Sequence, residues 1–106
     1  MNSSTFFIVI PTHERPQIVK STIKHLLLWY KSLNISPHII CVDSSTEYNV
    51  FLSSLADVTY VHKPGVTLWS KFKLAFNQIN NLVQNKNQWI LINPDDDLYL
   101  SNQNAL

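Results

Sequence analysis

Trp89-Ile90-Leu91-Ile92-Asn93-Pro94-Asp95-Asp96-Asp97 is an apolar run that stops at a proline and continues as three carboxylates. A run that is apolar on both parities and too short for a helix reads as a strand covered on both faces. Pro94 cannot donate to a sheet ladder, so the strand ends there and hands the acidic triplet to a loop. Three adjacent carboxylates repel one another and stay ionised most easily beside a cation. Hard divalent ions such as Mg²⁺ and Mn²⁺ favour oxygen ligands, and Mg²⁺ sites combine one or two carboxylates with substrate phosphates. The pattern points to a metal–phosphate site with Asp95, Asp96 and Asp97 as ligands. Aspartate is also a good N-cap and turn residue, so the triplet could instead start a helix running into Leu98.

With 106 residues the chain has enough length for one modest core, and residues 1–106 are read as a single domain. Its apolar fraction of 45% is ordinary for a globular protein, and its net charge of +1 is close to neutral. The eight Lys and Arg residues are scattered, which argues against nucleic acid as a partner. Cys41 is the only cysteine, so no internal disulfide forms; its apolar neighbours mark it as a small core residue, and a reducing compartment fits. The start Met1-Asn2-Ser3-Ser4-Thr5 lacks the basic residues of a signal peptide, and nowhere do eighteen apolar residues follow one another. No transmembrane segment is expected. A cytoplasmic location is, with attachment to the inner membrane surface left open.

Going back to the start, Thr5 to Ile10 is a first strand, rich in aromatic and β-branched residues and ended by Pro11. A loop, Pro11 to Pro16, leads into a helix, because proline suits a first helical turn. Val19, Ile23, Leu26, Leu27, Tyr30 and Leu33 recur at helical spacing, which predicts an amphipathic helix to about Leu33. His38 to Val42 is the second buried strand, followed by the loop Asp43-Ser44-Ser45-Thr46. A short helix follows with Tyr48, Phe51, Leu52 and Leu55 on one face. Val58 to Val61 is a third strand, and Lys63-Pro64-Gly65 turns the chain at its only glycine. Thr67 is the expected N-cap of a third helix with the apolar face Leu68, Phe72, Ala75, Phe76, Ile79, Leu82 and Val83. The fourth strand begins at Trp89.

Alternating strands and helices imply right-handed crossovers and an open parallel sheet with helices on its faces. The carboxyl ends of the strands then share one edge, where ligands bind in folds of this kind. Thr12 to Arg15, Asp43, and Asp95 to Asp97 each follow a strand, so three polar loops converge there. Neither G-x-G-x-x-G nor G-x-x-x-x-G-K-S/T is present. With so little glycine to cradle phosphate, a cation on the acidic triplet is the natural charge partner.

These stretches resemble family-2 glycosyltransferases. Ile8-Val9-Ile10-Pro11-Thr12-His13-Glu14-Arg15-Pro16 is similar to the family's opening I-P-T-Y-N-R-P, and Ile40-Cys41-Val42-Asp43-Ser44-Ser45-Thr46 to V-D-D-G-S-T. Lys71 stands where the family often carries a basic residue, and Trp89 to Asp97 resembles its strand and Asp-x-Asp motif. The match runs through nearly the whole chain in order. It implies a GT-A fold, the Rossmann-like donor-binding half, with strand order 3-2-1-4. It also implies a nucleotide-diphosphate sugar donor, UDP-sugar favoured, and transfer to an acceptor hydroxyl. Pro11, Thr12, His13, Glu14 and Arg15 would line the nucleotide pocket. Asp43 would accept a hydrogen bond from the base, and Lys71 would add positive charge nearby. Asp95 would lie near the ribose and metal, while Asp96 and Asp97 would hold Mn²⁺ or Mg²⁺ against the diphosphate.

The sequence departs from the family at several points. His13 replaces a tyrosine, Ser44 and Ser45 replace Asp-Gly, and Pro94 stands at an often acidic position. Read without the resemblance, Asp43 could be only the N-cap of the second helix. The family's acceptor pocket and general base lie many tens of residues beyond the Asp-x-Asp motif, whereas this sequence stops at Leu106, nine residues after Asp97. The resemblance therefore places the general base beyond Leu106. The chain is expected to be the donor-binding part, with no catalytic base of its own and with strand four at a sheet edge that lacks charge or bulge. A non-catalytic nucleotide-binding module and a sugar-phosphate nucleotidyltransferase are the other readings. The latter would ordinarily carry a glycine-rich basic loop after strand one.

Overall fold

The structure is a computed structural model that describes residues 5–82 and 88–95. Its order is β1 (Thr5–Thr12), α1 (Pro16–Ser32), β2 (His38–Asp43), α2 (Val50–Ser53), β3 (Val58–His62), α3 (Leu68–Leu82) and β4 (Gln88–Ile92). All strands pair in parallel, in the order β3-β2-β1-β4, as expected. Side chains alternate across a strand, so β1 and β2 each feed two cores. Ile8, Ile10, Ile39 and Cys41 pack with Val19, Ile23 and Leu26 of α1 and Leu52 of α2. Phe7, Val9, Ile40 and Val42 meet Ala75 and Ile79 of α3 on the opposite face. No described helix is long and apolar enough to cross a membrane.

Helix α1 buries Val19, Ile23, Leu26 and Tyr30 of the predicted face, leaves Leu33 exposed just past its last residue, and stops in a Schellman turn. Asn34 adopts φ +61°, while its N–H bonds the Lys31 carbonyl and that of Ile35 bonds Tyr30. Thr67 caps α3 by accepting from the Ser70 N–H at 3.1 Å. At Gly65 (φ +79°) a side chain would meet nothing within 4 Å, so the backbone angle rather than space favours glycine.

Four expectations need correction. Strand β1 does not end at Pro11 but runs on to Thr12. The Val9 carbonyl faces β4, where it accepts from Asn93, so Pro11, two residues on, also turns its nitrogen that way. Pairing with β4 has already ended at Val9↔Ile92, and the missing N–H therefore costs no ladder bond. Second, α2 has only four residues; Tyr48 lies before it and is exposed. Third, α3 buries Lys71, Ala75 and Ile79, whereas Leu68, Phe76 and Leu82 are exposed. The helix is thus rotated toward a basic residue. Val83 lies outside the described residues.

Fourth, the run that starts at Trp89 is not covered on both faces. Among the described residues β4 pairs only with β1, and α3 packs over β2 and β1. Trp89, Ile90 and Ile92 are consequently 72%, 41% and 47% exposed, and only Leu91 reaches the core beneath α1. The contrast between buried and exposed leucines on α1 is testable by denaturant unfolding. Leu26→Ala, at a fully buried position, is expected to cost about 2–5 kcal/mol. Leu28→Ala, 68% exposed, is expected to stay within about 0.5 kcal/mol of the parent.

Candidate functional site

Sheet register brings the loops together. Thr12 pairs with Asp43, and Asp43 with His62, so three strands end side by side. Strand β4 stops lower, at Ile92 opposite Val9, and Asn93 continues the ladder with one bond to the Val9 carbonyl. Asp95 then lies beside Thr12, whose hydroxyl donates to Asp95 Oδ2 at 2.8 Å. The Thr12 carbonyl accepts from the Ser44 N–H and from Lys71 Nζ, both at 3.1 Å. One residue of β1 therefore touches the β2 loop, α3 and the β4 loop.

Asp95 is further held by α1. The Thr22 hydroxyl donates to its backbone carbonyl at 2.6 Å, and Arg15 Nη1 approaches its Oδ1 at 3.3 Å. The Arg15 side chain is 47% exposed, so this ion pair contributes little more than orientation. Lys71 is the opposite case, at 7% exposure. Removing an ammonium from water costs roughly several kcal/mol after relaxation, which neighbouring dipoles and anions must offset. Among the described residues its hydrogen-bond partner is the Thr12 carbonyl.

A cleft of about 220 Å³ opens on the other side of the β1 loop, lined by Glu14, Pro16, Asp43, Ser45, Thr46, Glu47, Tyr48 and Asn49. Asp43 is 3% exposed and lies at its floor. Its Oδ1 accepts from the Ser45 N–H at 2.9 Å and from the Ser45 hydroxyl; its Oδ2 accepts from the Tyr60 hydroxyl at 2.6 Å. Asp43 is not the N-cap of α2. Asn49 takes that place, with its side chain accepting from the Leu52 N–H at 3.0 Å. Tyr60 in turn accepts from the Asn49 N–H at 2.8 Å, and burial together with the bond to Asp43 pushes its phenol well above the usual range.

Glu14 closes the cleft at the cost of a left-handed backbone, φ +51°. Its N–H donates to the Ser45 hydroxyl at 2.6 Å, and its carboxylate accepts from the N–H and hydroxyl of Thr46. Those bonds to Thr46 hold the Glu14 carboxyl below its ordinary value of 4.5. A non-glycine residue persists in such a conformation only where its surroundings over-determine it. His13 Nδ1 lies 2.8 Å from the Ser44 hydroxyl and ties the same two loops.

Pro11, Thr12, His13, Glu14, Arg15, Asp43, Lys71 and Asp95 thus all stand along one edge. Thr12, Arg15, Lys71 and Asp95 form one cluster, and Glu14 and Asp43 line the adjoining cleft. Asp96 and Asp97 lie outside the described residues, and among the described residues no three metal-ligating side chains gather. Leu106 lies outside them too. Tyr60, His62, Asn49 and Thr22 also belong to this edge, although nothing in their sequence neighbourhoods singled them out. Strand parity would place Tyr60 and Asp43 together only once the β2–β3 register is known. The edge offers carboxylate acceptors and one buried cation, but no activated nucleophile at Cys41, whose thiol burial pushes far up. Comparison with protein-family models, with curated proteins and with solved structures returned no match.

Thr12→Val removes the hydroxyl while keeping the shape, and it leaves Asp95 Oδ2 without this donor. Hydrogen bonds to charged groups contribute roughly 1.5–3 kcal/mol, and denaturant unfolding is expected to show a loss of that order. Glu14 gives a pH test. Its folded value is depressed, so the bridge to Thr46 is present above the unfolded value and is lost as pH falls through the folded one. NMR titration of the Glu14 carboxyl should show a midpoint below 4.5, and the Thr46 amide should shift with it.

Proposed function

We propose that this chain binds the nucleoside diphosphate portion of a nucleotide sugar, UDP-sugar favoured, and serves as the donor-binding part of a glycosyltransferase. The observation that carries the reading is the contact set of Thr12. Through it, Asp95, Lys71 and the loop bearing Asp43 are held within hydrogen-bond reach of one residue on a common rim. Such a rim at the carboxyl edge of a parallel sheet is where phosphorylated ligands bind in open α/β folds.

In this reading the cleft beside Asp43 takes the base, since a carboxylate accepts from a ring N–H. Lys71, buried and bonded to a carbonyl, provides a fixed positive charge toward the diphosphate. Both Asp95 oxygens are engaged, by Thr12 and Arg15, which suits an anchored carboxylate. The carboxylates of Asp95, Asp96 and Asp97 would supply hard oxygen donors of the kind that Mn²⁺ or Mg²⁺ takes. When bound, such an ion supplies Lewis-acid stabilisation of the departing nucleoside diphosphate. The protein's own part is to bind the donor, orient it and hold counter-charge at a fixed place.

Calorimetry with UDP tests this. Binding is expected in Mn²⁺ and should weaken at least about tenfold, or 1.4 kcal/mol, with chelator or in Asp96→Ala. Lys71→Met should weaken it comparably with Mn²⁺ present. Equal affinity with and without Mn²⁺ would overturn the assignment of the triplet.

A further inference from the structure

We propose that Tyr60 is a positioning residue that leaves Asp43 with a single acceptor site aimed at the base, and so sets the base preference of the pocket. This rests on the nucleotide-binding reading above. A carboxylate offers about four lone-pair sites. Ser45 occupies two on Oδ1 through its N–H and its hydroxyl, and Tyr60 occupies one on Oδ2. Among the described residues one acceptor position remains open, on the oxygen that Tyr60 holds.

The direction of the Tyr60 bond is fixed by elimination. A phenol carries one hydrogen, and the Asn49 N–H already points at its oxygen from 2.8 Å. That oxygen accepts from Asn49, so its hydrogen goes to Asp43. The ring is also clamped. Tyr48 meets it edge-on at 5.1 Å, and His62 stacks on it at 6.1 Å with planes 10° apart. His62 Nε2 lies 2.8 Å from the Ser45 carbonyl, so the clamp joins the loop that holds Oδ1. Asp43 is therefore oriented from two sides, by its own loop and by β3. An oriented carboxylate that only accepts favours uracil, whose ring nitrogen N3 carries a hydrogen. Aimed at N3 it disfavours cytosine, where that nitrogen is itself an acceptor and the base would have to shift to offer its amino group instead.

The test compares UDP, CDP and inorganic pyrophosphate by calorimetry in Mn²⁺, for the parent chain and for Tyr60→Phe. The expected result is a parent preference for UDP over CDP that falls about tenfold in Tyr60→Phe, while pyrophosphate affinity stays unchanged. An unchanged UDP:CDP ratio overturns the role of Tyr60 and leaves the nucleotide reading standing. Equal weakening for UDP, CDP and pyrophosphate shows a merely structural tyrosine and overturns it as well. No binding by the parent chain overturns both. Should Tyr60→Phe fail to fold, 3-fluorotyrosine at position 60 keeps the shape and strengthens the donated bond. The UDP:CDP ratio must then rise, and an unchanged ratio overturns the proposal.

Discussion

Everything at the carboxyl edge depends on the last residue of β1. Thr12 uses its hydroxyl as a donor and its carbonyl as an acceptor from both Ser44 and Lys71, and its partners come from three elements far apart in sequence. The residue is 3% exposed, so none of these bonds competes with bulk water. A buried polar group left without a partner costs about 1–3 kcal/mol, and here each partner satisfies one such group while fixing a loop. Folding and the assembly of the edge are therefore one event.

The stagger of β4 makes this arrangement possible. Had its ladder with β1 continued to Thr12, Pro11 would have removed a needed bond. Ending the ladder at Val9↔Ile92 makes Pro11 harmless, and the same register brings Asp95, three residues after Ile92, level with Thr12, three residues after Val9. The same geometry leaves Trp89, Ile90 and Ile92 partly exposed, since no further strand among the described residues flanks them.

The edge also separates two kinds of chemistry. On one side stands the buried ammonium of Lys71, and on the other a cleft lined by Glu14, Asp43 and Glu47 with aromatic rings behind it. The proposed function assigns the diphosphate to the first and the base to the second. The strained backbone at Glu14 lies between them, held by its bonds to Ser45 and Thr46.

The elements and the parallel sheet were legible in the sequence because they depend on local facts: short apolar runs, helical spacing, prolines and caps. Most of the candidate site was legible for the same reason, since Thr12 and Asp43 end strands and Glu14 and Asp95 follow them closely. What the sequence could not decide was rotation and register. Helix α3 could present either Phe76 or Lys71 inward, and burial of Lys71 follows from a carbonyl waiting at the end of β1. Tyr60 reads as an ordinary strand residue until β3 pairs with β2 and its hydroxyl meets Asp43. The sequence by itself determined which segments are strands and helices, because those choices rest on near-neighbour spacing. Only the tertiary structure decided which polar atoms meet, because hydrogen bonds over such chain separations depend on sheet register to within one residue.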